Sequence, residues 1–176
     1  MKLLVIYSSQ TGFTKQYAQW IAEALAGDTM TIKDASKKKD DFFEQYDALV
    51  YGGFAMAGSI NKVKWFLEKS NRWRGKKLAV YCVGASPDGA KDIEIALHNA
   101  LTDEQREYMK AFYCPGGLNY ENMPGPSKLA MRAFASVMRK KKDKTEDEKV
   151  MAEMIQHSYD IHDIKYIKPI VEYLKA

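Results

Sequence analysis

Cysteine is scarce in this chain of 176 residues: there are two, Cys82 and Cys114. They are too few and too far apart for a disulfide framework, which points to a reducing, cytoplasmic setting with buried thiols. Long hydrophobic runs are missing as well, since no stretch approaches the ~20 apolar residues of a spanning helix. The opening MKLLVIY has one lysine and a short apolar run that meets SSQTG without a cleavage-like site, so no signal peptide is expected. The three histidines, His98, His157 and His162, show no metal-ligand spacing among themselves or with the cysteines. No metal is therefore expected. The G-K-[ST] of a P-loop and the G-x-G-x-x-G of a dinucleotide site are also lacking. No Ser-His-Asp, Cys-His or paired-carboxylate arrangement stands out, so no residue is assigned a catalytic role. Any chemistry would come from a cofactor that the protein positions.

What remains is a chain with 46% hydrophobic residues and interspersed charges of both signs. That is enough for one domain with a real core and too short for two ordinary ones. The net charge of +4 is modest, and no nucleic-acid partner is expected. The basic excess gathers at Arg139, Lys140, Lys141, Lys142 and Lys144, which reads equally as a solvated face or a functional one.

Apolar runs alternate with helical periodicity. Lys2 to Tyr7 reads as a strand covered on both faces, followed by Phe13, Tyr17, Trp20, Ile21, Ala24 and Leu25 at helical spacing. TMTIKDA reads as a second strand, FFEQYD as a turn or partial helix, and Ala48 to Gly53 as a third strand ending in two glycines. A helix carrying Ile60, Val63, Phe66 and Leu67 precedes the fourth strand, KKLAVYCVG. A further helix shows Ile93, Ala96, Leu97, Ala100 and Leu101. A capping box opens at Thr102–Gln105, and KAFYCPGG forms the fifth strand. Strands alternating with amphipathic helices imply βαβ units and a parallel sheet. From Pro115 to Asp163 the chain is too long for an ordinary connection, so a helical insertion at about 115–163 within a single domain is expected. Ser127 to Lys140 is one of its helices, and Thr145 to Glu148 opens another with Met151, Met154 and Ile155 facing inward. In the last helix, with Ile164, Ile167, Val171 and Leu174, Pro169 either makes a kink or sets the true start.

The first strand hands over to its helix through SSQTGFT, which carries no charge between Ser8 and Thr14. In a parallel α/β sheet, ligands bind beyond the carboxyl ends of the strands. Unpaired amides at a helix N-terminus favour an anion there. Ser9, Thr11 and Thr14 can add hydroxyl donors, and Gly12 lets the backbone approach closely. One helix cap needs only one such residue, whereas a phosphate cradle uses several.

Ser9-x-Thr11-Gly12-x-Thr14 after a buried strand resembles the phosphate loop of the flavodoxin family, whose members bind flavin mononucleotide (FMN). The resemblance implies an α/β, three-layer sandwich with a five-stranded parallel sheet in the order 2-1-3-4-5. It implies FMN contacts from Ser9, Gln10, Thr11, Gly12, Phe13 and Thr14 in the first loop. The loop after strand three would add Gly53, Phe54, Ala55, Met56, Ala57 and Gly58. The loop after strand four would add Gly84, Ala85, Ser86, Pro87, Asp88 and Gly89. Phe54 is the one aromatic in these last two loops, with Met56 as the alternative cover for a ring face. The acidic surface common in the family is missing.

Pro115 to Glu148 is similar in placement and character to the insertion of the bacterial flavodoxin-like, quinone-dependent protoporphyrinogen oxidases. The shared features are a Gly-rich strand end, a Tyr-containing turn, a Met/Phe-rich helix and a basic run before KTEDE. This implies an FMN-dependent oxidoreductase acting on a porphyrinogen or similar hydrophobic substrate, with a quinone acceptor. Two alternatives stay open: a carrier shuttling electrons to a redox partner protein, and a flavin-free interaction module. Ser127–Lys142 is read either as a peripheral contact with the inner face of a membrane or as packing onto the domain or within a homodimer.

Overall fold

In the computed structural model, which describes the chain except for Ala57, Ala90 and the side chains of Lys91 and Asp92, β1 (Leu3–Ser8) is buried almost end to end. Successive residues of such a strand point to opposite faces. Leu4 and Ile6 enter one core, with Leu49, Tyr51, Leu78 and Val80 from the neighbouring strands. Leu3 and Val5 enter the other, with Ala48, Val50, Ala79 and Tyr81. Each fully buried Leu, Ile or Val contributes about 1.5–3 kcal/mol, so the two cores dominate the stability of the fold.

The partners of β1 are β2 (Asp28–Thr31), β3 (Ala48–Met56), β4 (Lys77–Gly84) and β5 (Met109–Pro115). The sheet order is β2-β1-β3-β4-β5, and every neighbouring pair in it is parallel. The α/β architecture and 2-1-3-4-5 order expected from the sequence are those found. α1 (Phe13–Ala24) buries Tyr17, Ala18, Ile21 and Ala22 on one face of the sheet, beside Ile170 and Leu174 of the last helix. α2 (Val63–Ser70) covers the other face with Val63 and Phe66 around the buried Trp73. α3 (Lys91–Asn99) leads into β5 through the Thr102–Gln105 capping box.

Beyond β5, α4 (Gly125–Lys140) and α5 (Glu146–Met154) close a small third core of Leu118, Tyr120, Ala135 and Ile155. The segment enters and leaves through one antiparallel pair, Gly117–Leu118 against Tyr159–Asp160. Gly117 sits at φ +119°, where a Cβ would collide with the Tyr159 carbonyl. α6 (Lys168–Lys175) follows a 3-10 turn over Ile164–Ile167, and Pro169 sits in its first turn. Pro169 thus sets the start of the helix rather than kinking it.

Three local expectations are corrected. The second strand stops at Thr31, because that hydroxyl accepts from the Asp34 amide at 3.2 Å and caps a helical turn over Ile32–Ala35. β3 runs on to Met56 instead of ending at Gly53, since Ala55 and Met56 pair antiparallel with Ser59–Ile60. Ile60 therefore belongs to that hairpin, and the following helix begins only at Val63.

Candidate functional site

The hydroxyl loop lies where β1 ends, at the carboxyl edge of the sheet. Gly12 caps α1 from φ +107°, a region costly for any L side chain, and nothing lies within 4 Å of where its Cβ would be. The space above the turn is thus open. The Ser9 hydroxyl accepts from the Gly12 amide at 3.2 Å and shapes the turn. The first intrahelical bond runs from the Gln16 amide to the Gly12 carbonyl, which leaves the amides of Phe13, Thr14 and Lys15 without partners in the helix. Thr14 is 2% exposed, and its hydroxyl has no hydrogen bond among the described residues. No fully buried side-chain polar atom among them lacks a partner, so this hydroxyl reaches the surface of the turn.

What holds the turn in place comes from below. Gly52 of β3 lies beside Tyr81 of β4, and a Cβ on Gly52 would land in the Tyr81 ring. The missing side chain lets that ring cross β3, where its hydroxyl donates to the Thr14 carbonyl at 3.1 Å. A second pair repeats the device. Gly84 leaves room for Tyr113, whose hydroxyl donates to the Ser86 carbonyl at 2.8 Å. Burial pushes the ionisation of both tyrosines well above the usual phenol range, so they remain donors.

The other two loops reach the same edge. Gly53, Phe54, Ala55 and Met56 lie on the hairpin strand, with Ala55 and Met56 exposed, and Gly58 turns the hairpin at φ +76°. Ala57 lies outside the described residues. Asn61 ties the hairpin down: its amide bonds the Phe54 carbonyl at 2.9 Å, and its carbonyl accepts from Tyr51 at 2.7 Å. Its side chain accepts from the Ser8 hydroxyl at 2.8 Å and points its amide at the Met56 sulfur, 3.7 Å away. In the loop after β4, the Gly84 carbonyl accepts from Gly116 and the Ala85 carbonyl from the Tyr159 hydroxyl at 2.7 Å. Ser86 is half-buried, Pro87, Asp88 and Gly89 are exposed, and Gly89 adopts φ +82°.

Sequence reasoning named the loop residues and missed their supports: Asn61, Tyr81, Tyr113 and Tyr159. It also missed the bond from the Gln10 amide group to the Ser127 hydroxyl at 2.9 Å, which ties the first loop to α4. A helical or strand period marks which face a residue occupies, and says nothing of a hydroxyl crossing to another loop. Two surface clefts lie elsewhere, one beside Ile32 and Trp65, the other beside Tyr7, Met30 and Lys37. Neither draws a lining residue from the three loops, which form a crest along the sheet edge with Gly12, Ala55, Met56 and residues 87–89 at its surface.

The two thiols lie apart. Cys82 faces the core under α2 and Cys114 the core under α1, on opposite faces of the sheet, and burial pushes the Cys82 thiol up to about 12. They cannot form a redox pair. His162 stacks on Trp20 with ring centroids 5.2 Å apart, while His98 and His157 are exposed.

The sequence profile of the flavodoxin domain matches residues 4–147. The chain belongs to the flavodoxin family. FMN is accordingly its cofactor, and the crest described above fits that group. Three amides without partners in the helix, a Thr14 hydroxyl with no hydrogen bond among the described residues and an open glycine turn suit a phosphate, and an uncharged loop leaves the dianion to the helix dipole. No curated protein matches the chain. Among solved structures it is similar to a flavodoxin from the domain Archaea, with 17% identity, a TM-score of 0.46, and coverage of 89% of this flavodoxin and 100% of the other. It is similar also to a flavoprotein in complex with FMN from Lactobacillus acidophilus (15% identity, TM-score 0.44, 65% and 91% of the two chains). A third likeness is to oxidised flavodoxin 1 from Bacillus cereus (16%, 0.41, 89% and 99%). Membership of the family rests on the domain match.

Proposed function

We propose that this flavodoxin-family protein is an FMN-dependent oxidoreductase that oxidises a porphyrinogen or similar hydrophobic substrate and passes the electrons to a quinone. The observation that carries this reading is the link between Gln10 and Ser127, which sets a long apolar helix directly beside the loop proposed to hold the flavin phosphate. A minimal electron shuttle has no need of such a segment. FMN, when bound, supplies the one- and two-electron chemistry. The chain's part is to hold and orient it. Thr11, Thr14 and the amides of Phe13 to Lys15 take the phosphate, with Ser9 shaping their turn. The Met56 side chain, exposed at the hairpin tip, and the half-buried Phe54 offer apolar cover near the ring. Backbone groups of Gly84 to Gly89 are the candidate partners for its polar edge.

The alternative is a carrier between protein partners, and the exposure of Ala55, Met56 and residues 87–89 along the crest favours it. Anaerobic spectroscopy of the FMN-loaded protein separates the two. On the oxidase reading, a porphyrinogen bleaches the flavin absorbance and a quinone restores it. If neither does so while a reduced redox protein bleaches it, the carrier reading replaces the enzyme.

A further inference from the structure

α4 carries more apolar surface than its packing uses. Met131, Ala135 and Met138, spaced i, i+4 and i+7, face the small third core. Leu129, Ala133 and Val137, spaced i, i+4 and i+8, face outward with Ala130 and Phe134 beside them. Leu129 is 72% exposed, Val137 66% and Phe134 48%. The sector between the two apolar stripes holds Lys128, Arg132, Ser136 and Arg139, with Lys140 at its margin, and the helix has no acidic residue along its length. Arg132 lies over the Tyr120 ring at 4.8 Å, which fixes its charge beside the stripe. Lys142 follows with no ion-pair partner among the described residues, while Lys141 is engaged by Glu148 at 2.5 Å.

We infer that this outer face of α4 docks on an anionic lipid surface. An exposed apolar stripe bordered by bases suits a leaflet where side chains enter the acyl boundary and cations meet headgroup phosphates. A second copy of the chain is a poor occupant, because a two-fold pairing of this face would bring two basic stripes together with no acid on either helix. The Gln10–Ser127 bond then holds the flavin loop at the lipid boundary. The docking itself does not depend on which substrate the crest oxidises.

The test is cosedimentation of the FMN-loaded protein with vesicles of phosphatidylglycerol and phosphatidylcholine, and with phosphatidylcholine alone, at low and high salt. The protein is expected to pellet with the anionic vesicles at low salt and to be released by high salt. Leu129→Ser with Val137→Ser, both at exposed positions, should lower partition about tenfold, and Arg139→Glu with Lys140→Glu by at least as much. The inference is overturned if the protein stays in the supernatant with anionic vesicles at low salt. It is equally overturned by equal pelleting with neutral vesicles, or by variants that pellet like the parent. Self-association that the Leu129 and Val137 changes abolish, without vesicle binding, would assign the face to a second copy or a protein partner. Loss of porphyrinogen oxidation with vesicle binding intact would strike the proposed reaction and leave the docking standing.

Discussion

Thr14 is a core residue and, on the proposed function, a ligand of the phosphate. Its carbonyl is held by Tyr81 through the gap at Gly52, while its hydroxyl, unpaired among the described residues, shares the turn with amides that the helix leaves without partners. A hydrogen bond to a charged group is worth roughly 1.5–3 kcal/mol, so Thr14→Val, and Thr11→Val likewise, should weaken FMN binding about ten- to a hundredfold. Fluorescence quenching on titration with FMN measures this, and unchanged affinity in both would reduce the hydroxyls to helix caps. Gly12→Val should weaken binding further, because a branched side chain at φ +107° is strained and occupies the open space above the turn. Riboflavin, lacking the phosphate, should bind far more weakly than FMN, and all three variants should narrow that gap. Beneath the loop, Gly52→Ala forces the Tyr81 ring aside, and overpacking of that kind costs about 1–3 kcal/mol. Urea denaturation would show it as a lower midpoint, and FMN affinity should fall with it, because the Tyr81 bond to Thr14 is lost.

At the scale of elements, the patterns that fix secondary structure by burial were legible, and those set by a single tertiary contact were not. β1 and α1 announce themselves by an apolar run and a 3.6-residue period, and both capping boxes, at Thr102 and Thr145, form as their spacing predicts. The end of β2 and the extension of β3 escaped, since each turns on one local event, the Thr31 cap and the antiparallel return through Ser59 and Ile60. The site divides in the same way. The composition of the hydroxyl loop points to an anion, whereas Asn61 carries no signal in its neighbourhood that would mark it as the tie for two strand ends. The Thr145 box offers a measurable consequence. Its hydroxyl accepts from the Glu148 amide at 3.2 Å and the Glu148 carboxylate accepts from the Thr145 amide at 3.0 Å. Thr145→Ala should cost about 1 kcal/mol, seen as faster amide exchange confined to α5, with the sheet amides unchanged.

For the whole molecule, the buried phenols and thiols set an alkaline limit. Burial raises the ionisation of Tyr17, Tyr51, Tyr81 and Tyr113 above the ordinary value near 10, and takes Cys82 to about 12. A group with a raised folded pKa contributes its full stability below its unfolded pKa and loses it as pH climbs towards the folded one. Stability should therefore hold to about pH 8.5–9, where unfolded thiols begin to ionise, and fall more steeply above about 10 as unfolded tyrosines follow. On the acid side, the lysine and hydroxyl partners of Asp34, Asp40 and Glu148 hold these carboxyls below their usual range. They stabilise the fold above about pH 4 and lose that effect as pH drops through their folded values, a small decline because all three are solvent-screened. Thermal melts across this range would show a plateau with a sharper alkaline edge, and a flat profile beyond pH 10.5 would contradict it.

The antiparallel pair of Gly117–Leu118 with Tyr159–Asp160 places the two ends of a long excursion side by side, one strand spacing apart. That geometry makes the excursion a cassette. The sheet below closes on β5 and α6 without it, so the whole unit could be exchanged in one step while the two cores flanking the sheet keep their own packing. A protein engineer could do so by joining Gly117 to Asp160 through a short turn to obtain a minimal fold, or by transplanting the cassette onto another flavodoxin at the matching strand end. The specialised behaviour of this chain would then travel with a detachable part, while the cofactor-bearing frame stays common property.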